Sequence, residues 1–262
     1  MTGPWVSIAS ALVLLVVCSI NLLAAEIAPA DRKSGSAFMT PETQAMQEDD
    51  RANPGMLAVL EGEALWNAPA GPGGKACAGC HGDAAASMKG VAARYPAFDP
   101  ARGRPVDLEQ RINTCRTERQ QATPLAWESP ELLALTAYVG KQSRGVPIEA
   151  GSDEKSRPFV EAGRERFTRR QGQLDLSCSQ CHDDNWGKRL AGSVVPQAHP
   201  TGYPVYRLEW QSIGSLQRRL RNCIIGLRAE SYAYGAPELV ELELYLMWRA
   251  RGLPMETPAV RP

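Results

Sequence analysis

The stretch that decides the fold is Cys178-Ser179-Gln180-Cys181-His182, and a stretch of the same form, Cys77-Ala78-Gly79-Cys80-His81, lies earlier in the chain. The pattern C-x-x-C-H is typical of c-type haem attachment, in which two thiols bond the porphyrin and the adjacent His becomes an axial iron ligand. A single copy is also compatible with a zinc or redox site, but two copies in a chain with 3 His favour haem. We therefore predict two haems, attached through Cys77, Cys80, Cys178 and Cys181, with His81 and His182 as iron ligands.

The composition and the N-terminal residues indicate the size, the partners and the compartment of the protein. The 262 residues have room for two small domains, and the net charge of zero gives no reason to expect a nucleic-acid partner. Residues 6–25 carry no charge, and we interpret residues 1–25 as a cleaved signal peptide, with a membrane span as the alternative. Because covalent haem attachment needs an oxidising compartment, we predict the periplasm and no membrane association after cleavage. Polar residues 26–50 are expected to form an N-terminal extension.

The remainder is a tandem duplication. Gly62 and Gly163 stand at the same spacing before the two haem motifs. Three further segments of the first half recur in the second: Tyr95-Pro96 as Tyr203-Pro204, Arg111 to Cys115 as Arg219 to Cys223, and Pro130-Glu131 as Pro237-Glu238. We place a first haem domain at residues 51–150 and a second, catalytic one at residues 151–262, with the boundary in a polar stretch near residue 150.

Each half is predicted to be helical. Apolar periodicity and Pro or Gly punctuation indicate helices at residues 55–66, 107–120 and 130–140, and at 157–170, 213–225 and 237–249. No alternating strand pattern persists. The expected fold class is all-α, with two tandem cytochrome-c-like haem domains.

Each iron needs a second axial ligand. His199 cannot serve both irons, and Met88 has no counterpart in the second half. Cys115 and Cys223 are the remaining Cys after the apolar N-terminal segment, one in each half at equivalent positions. A disulfide between them is the alternative for an exported pair, but we favour thiolate ligation, which gives two His/Cys haems of low potential.

The two haem motifs, the paired additional Cys and the ending at residues 249–258, RARGLPMETP, resemble the SoxA family, the dihaem subunits of the SoxAX cytochromes of bacterial thiosulfate oxidation. The resemblance covers about residues 50–262. It implies an L-cysteine S-thiosulfotransferase, which joins thiosulfate oxidatively to a Cys of the sulfur carrier SoxY–SoxZ. The electrons are expected to leave through the haem of a SoxX-type monohaem partner.

The resemblance also implies site residues. In the family the C-terminal haem is the active one and its Cys ligand carries a persulfide, which corresponds to Cys223, with His182 opposite. The family's active-site Arg, four residues before that Cys, corresponds to Arg219, and a guanidinium can hold the thiosulfate dianion bidentately. For a second active-site Arg the candidate is Arg249, with Arg251 as the fallback. The predicted catalytic set is Cys223, Arg219 and Arg249.

The Arg–Cys spacing alone does not choose the active half, because Arg111 stands in the same relation to Cys115. Local charge favours the second half, which carries a net +3 from residue 151 onward, against −3 for residues 26–150. Two other functions stay open: a thiosulfate dehydrogenase that forms tetrathionate, and a dihaem electron carrier without catalytic activity.

Overall fold

The computed structural model describes residues 26–262, so the predicted signal peptide lies outside the described residues. Helices dominate this part of the chain, and short 3-10 turns connect some of them. The α-helices are α1 (Pro41–Glu48), α2 (Met56–Asn67), α3 (Cys77–His81), α4 (Ala84–Ser87), α5 (Leu108–Glu118), α6 (Pro130–Lys141), α7 (Arg157–Thr168), α8 (Cys178–His182), α9 (Leu216–Gly226) and α10 (Pro237–Arg249). None of the helices within residues 26–262 is both long enough and apolar enough to cross a membrane.

Each half is built around one helix pair, α2 with α6 and α7 with α10. The repeated Gly explains how closely these helices approach. A Cβ added at Gly62 would overlap the carbonyl oxygen of Ala134, and one at Gly163 would overlap that of Glu241. The Gly that the repeat places before each haem motif is therefore a packing residue of the helix pair.

The predicted helices are present, and their ends follow from local capping. Helix α6 begins with Pro130 after the Ser129 side chain, which accepts a hydrogen bond from the Leu132 backbone amide. Helix α5 begins after Asp107, which forms a capping box with Gln110.

Three small sheets accompany the helices and were not predicted. Their strands are β1 (Ala97–Asp99), β2 (Arg104–Val106), β3 (Arg189–Leu190), β4 (Ser193–Val194), β5 (Val205–Arg207), β6 (Ser212–Gly214) and β7 (Ala259–Arg261). β1 pairs with β2, β3 with β4, and β5 lies between β6 and β7. Strands of two or three residues are too short to show an alternating pattern, and β6 moves the start of α9 beyond the predicted residue 213. The predominantly helical, two-part fold is confirmed.

The two halves are joined through the segments that follow their last helices. The Gly145 backbone amide donates to the Met255 carbonyl at 2.9 Å, and the Ile148 amide donates to the Leu253 carbonyl at 3.0 Å. Met255 is also buried in the hydrophobic core of the first half. Residues 251–255, which lie beyond the boundary predicted near residue 150, thus complete the packing of the first half.

The N-terminal extension lies against the second half. The Lys33 backbone amide donates to Gln197 Oε1 at 2.7 Å, and Arg32 Nη1 donates to the Arg251 carbonyl at 2.8 Å. Farther along, Ser34 Oγ donates to Glu256 Oε1 at 2.6 Å. These contacts place the extension beside the loop that follows the second haem motif.

Candidate functional site

The first haem motif borders a large cavity. Helix α3 holds Cys77, Cys80 and His81, and these residues line a cavity of about 760 Å³ together with Cys115 of α5. Most of the other lining side chains are apolar, including Trp66, Leu135 and Val139. A cavity of this size, with two thiols and an imidazole at one end and a third thiol in its lining, fits a covalently bound porphyrin.

The second motif presents its His in a defined tautomer. Helix α8 is capped by Ser177, and the Nδ1 atom of His182 lies 2.6 Å from the Pro196 carbonyl oxygen. Since a carbonyl only accepts, Nδ1 carries the hydrogen and Nε2 keeps a free lone pair for a metal. Burial lowers the pKa of His182 to about 4, so the imidazole is neutral at physiological pH. The residues of the second half therefore also suit haem ligation.

The two additional cysteines are free thiols. Cys115 and Cys223 are half-buried, and none of the six cysteines in residues 26–262 forms a disulfide. The disulfide alternative is therefore wrong for this structure. Burial raises the pKa of the Cys178 thiol to about 12, and the nearby charge of Cys223 acts in the same direction. The two thiols of the second half therefore lie near enough for their charges to interact.

The two halves differ most clearly around the Arg that precedes each cysteine. In the first half Arg111 Nη2 lies 3.0 Å from Asp99 Oδ2, and Arg111 Nε donates to the Tyr95 hydroxyl at 3.2 Å. Burial opposes the charge of Asp99. The pKa of Asp99 nevertheless lies below its usual range, because Asp99 accepts hydrogen bonds from Arg102 and the Ala101 amide and lies near the positive charge of Arg111. The cation of Arg111 is therefore already paired with a carboxylate, which it shares with Arg102.

In the second half the repeat replaces that carboxylate with Arg207, at the end of β5. Arg219 is half-buried and forms no ion pair with any residue that the structure describes. Burial opposes its charge, but the ionisable groups of Cys223 and Tyr203 raise the pKa of Arg219. A partly buried guanidinium beside a thiol, with no carboxylate paired to it, can bind an oxyanion.

Arg249 lies elsewhere. It is 1 % exposed, and its Nη2 atom lies 2.6 Å from Asp183 Oδ1 and 3.3 Å from the Gln197 carbonyl oxygen. Its guanidinium also stacks over the ring of Phe167, which packs against His182. The structure therefore groups Arg249 with the residues around His182, whose pKa is lowered by burial and by the charges of both Arg249 and Arg219.

The fallback, Arg251, stacks on Trp248 and lies 3.2 Å from Glu26 of the extension. It is part of the surface that the extension covers. Sequence reasoning missed Asp99, Arg207 and Asp183 as site residues. Continuing the repeat beyond Tyr95-Pro96 and Tyr203-Pro204 aligns Asp99 with Arg207 and would have found the first two.

Comparisons with known proteins show the family to which the chain is similar. The family model described as SoxA/TsdA, cytochrome c domain, matches residues 61–148 and again residues 162–255. A relative from Pseudaminobacter salicylatoxidans, called L-cysteine S-thiosulfotransferase subunit SoxA, is 42 % identical over 87 % of this chain and 80 % of its own length. A protein of the same name from Rhodovulum sulfidophilum is 39 % identical over the same shares. Among solved structures, SoxXA from P. pantotrophus matches with a TM-score of 0.85 and 33 % identity, covering 88 % of this chain and 87 % of that chain.

Proposed function

Because the chain belongs to the SoxA/TsdA cytochrome c family, we propose that it is the SoxA-type subunit of an L-cysteine S-thiosulfotransferase that acts on thiosulfate in the periplasm. The predicted family and the predicted enzyme class agree with the names of its relatives. The observation that supports the site is the cation of Arg219, which has no ion-pair partner among the described residues and stands next to Cys223.

The cytochrome c domains imply covalent c-type haem. We assign one haem to each half: Cys77 and Cys80 attach the first, and Cys178 and Cys181 attach the second. The proposed iron ligands are His81 with Cys115, and His182 with Cys223. When bound, haem supplies an acceptor for the electrons that leave sulfur.

In the proposed reaction thiosulfate becomes joined to a thiol of the carrier protein. The net reaction forms one sulfur–sulfur bond and releases two electrons and one proton. Arg219 binds the oxygens of the thiosulfate dianion, and this orientation brings the sulfane sulfur to Cys223. Cys223 is the sulfur-handling thiol of the site, and the electrons pass to a partner cytochrome.

The role predicted for Arg249 changes with its surroundings. Its guanidinium is buried and its Nη2 atom is bound to Asp183, which favours an indirect role over direct contact with substrate. We propose instead that Arg249 is a positioning residue: it holds Asp183 and the Gln197 carbonyl beside His182.

The partners follow from the relatives. One solved structure that this chain matches is that of SoxXA, which supports a SoxX-type monohaem cytochrome as the electron-accepting partner. The carrier thiol is assigned to a SoxY–SoxZ-type protein because that is the acceptor implied by the resemblance. We assign the anion site to the second half, because Arg111 of the first half is already paired with Asp99.

The first experiment is mass spectrometry of the Cys223 peptide from native protein, before and after reductant. We expect an added sulfur atom that reductant removes, and an unmodified Cys115 peptide. The second compares Arg219→Gln with the matched variant Arg111→Gln. Losing a charge-assisted hydrogen bond of about 1.5–3 kcal/mol lowers turnover of thiosulfate roughly 10- to 100-fold in Arg219→Gln only.

Product analysis separates the alternatives. Tetrathionate formed from thiosulfate without a carrier protein would show a thiosulfate dehydrogenase instead. Full activity of Arg219→Gln would exclude Arg219 as the anion clamp and favour a simple electron carrier.

A further inference from the structure

Three carboxylates meet where the two halves pack together. Asp107 caps helix α5, Glu109 lies in the first turn of that helix, and Glu243 belongs to α10. Gln217 of α9 links Asp107 to Glu243, because its Nε2 atom donates to Asp107 Oδ2 at 2.7 Å and lies 3.4 Å from Glu243 Oε2. Asp107 is 0 % and Glu109 8 % exposed, so two of the three groups are almost completely shielded from water.

These carboxylates lack the cations that neutralise other buried acids of the chain. Asp99 pairs with Arg102, and Asp183 pairs with Arg249. Within residues 26–262 neither Asp107, Glu109 nor Glu243 takes part in a salt bridge. Buried carboxylates without a cation cannot all ionise at once, because each anion is poorly solvated and repels the others.

The charged groups around these carboxylates do not balance their negative charge. From β2, Arg104 is the cation whose charge reaches Asp107. From the segment before α6, Glu128 adds a fourth carboxylate, and both of its oxygens are buried without a hydrogen-bond partner in the described residues. No group of three or more His, Cys, Asp or Glu side chains in this part of the chain is arranged to hold a metal ion. The ligand that suits these groups is therefore the proton.

A small cavity of about 40 Å³ adjoins the carboxylates, and Glu109, Glu243, Tyr95 and Tyr203 line it. Its volume is sufficient for a water molecule. Glu109 borders this space and is nine-tenths buried. Its carboxylate forms no hydrogen bond to another side chain among the described residues. The cavity lies between the two candidate haem sites, since Tyr95 accepts from Arg111 and Tyr203 lies near Cys223.

We propose that Asp107, Glu109 and Glu243 form a proton-binding site between the two halves, which takes up a proton when an electron enters the chain and releases it when the electron leaves. The inference rests on the proposed function, because haem carries the electron. Glu109 precedes Cys115 on α5 by roughly 9 Å along the helix axis, at about 1.5 Å per residue. A unit charge at about 12 Å, with an effective dielectric constant of about 20, changes the proton affinity of a carboxylate roughly tenfold.

The proton balance agrees with the reaction. Joining thiosulfate to a carrier thiol releases one proton with two electrons, and the site takes up a proton as the chain becomes reduced. When the partner cytochrome oxidises the chain, the proton leaves to solvent. Burial raises the pKa of Asp107 to about 7, while burial and the charge of Asp107 raise that of Glu109 to about 8. Burial also raises the pKa of Glu243 well above its usual range.

The test is an optical redox titration of the haem-loaded full chain between about pH 6 and 9, the range in which these groups titrate. We expect the midpoint potential of the wild type to fall as the pH rises, because deprotonation favours the oxidised, more positive state. Glu109→Gln and Glu243→Gln are expected to flatten this dependence. The matched control is Glu131→Gln, which changes an exposed carboxylate of α6 and keeps the wild-type slope. A pH-independent wild-type potential, or an unchanged slope in both variants, overturns the proposal.

Unfolding measurements give a second readout that needs no redox chemistry. The folded-state pKa values of Asp107 and Glu109 lie above the roughly 4 of an unfolded carboxylate. Their contribution to stability is therefore fully present below about pH 4 and is lost as the pH rises through about 7 to 8. We expect Glu109→Gln to reduce this loss. If haem analysis finds no second haem, the proposed function fails, while the unfolding data still test the proton site. If two haems are present and the pH dependence of the midpoint potential in the variants equals that of the wild type, the proton site alone is overturned.

Discussion

Arg207→Asp is the most informative substitution, because it gives the second half a carboxylate at the position equivalent to Asp99 of the first half. In the first half the Asp99–Arg111 pair spans 3.0 Å. If Asp at position 207 forms the same pair with Arg219, thiosulfate must displace an intramolecular carboxylate before it binds. A hydrogen bond between two charged groups contributes about 1.5–3 kcal/mol, so kcat/KM for thiosulfate is expected to fall roughly 10- to 100-fold.

The assay is carrier-dependent consumption of thiosulfate over a range of its concentrations, with haem content measured in every variant. Arg207→Gln separates the new carboxylate from the loss of the Arg207 cation, and we expect a smaller decrease for it. Asp99→Asn is the matched control in the first half and leaves kcat/KM unchanged. If Arg207→Asp retains wild-type kcat/KM with both haems present, Arg219 does not bind the anion and the assignment of the active half is wrong.

Two further predictions concern packing and burial. Gly163→Ala forces α7 away from α10 and lowers the free energy of unfolding by at least about 1–3 kcal/mol, measured by chemical denaturation. Arg249→Met leaves the carboxylate of Asp183 buried without its cation and destabilises the chain by about 3–5 kcal/mol near neutral pH, with a smaller loss in acid, where Asp183 becomes protonated.

Each of these two predictions has a control in the same chain. Gly226→Ala adds a Cβ into open space at the end of α9 and is expected to change stability little. Arg164→Met removes a partly exposed pair with Glu161 and is expected to cost at most about 1 kcal/mol. Equal effects of Gly163→Ala and Gly226→Ala, or of the two Arg substitutions, would contradict the packing and burial arguments.

The sequence predicted the features that depend on neighbouring residues. Helix α10 was placed at its observed bounds, because Pro237 starts it and its apolar residues follow a helical period. The haem motifs and the repeat were also readable, since both are local patterns. The fold class followed from these together.

Features that depend on distant residues were not readable. The pair of Arg249 with Asp183 joins α10 to the residue that follows α8, and it is the reason that we propose a positioning role for Arg249. The hydrogen bond between Asp107 and Gln217 likewise joins the two repeats, and no pattern within one repeat indicates it. Arg207, which stands where the first half has Asp99, lies on a strand too short to predict.

The connection between the halves has a consequence for how the protein is made. Residues 253–255 pair with residues 145–148, and strand β7 pairs with β5, which leads through β6 into the helix of Cys223. Neither half can therefore complete its packing until residues 253–261 have taken their place. Until then both C-x-x-C-H motifs belong to unfinished structures, and loss of β7 would remove the strand that pairs with β5 in the half that contains Cys223.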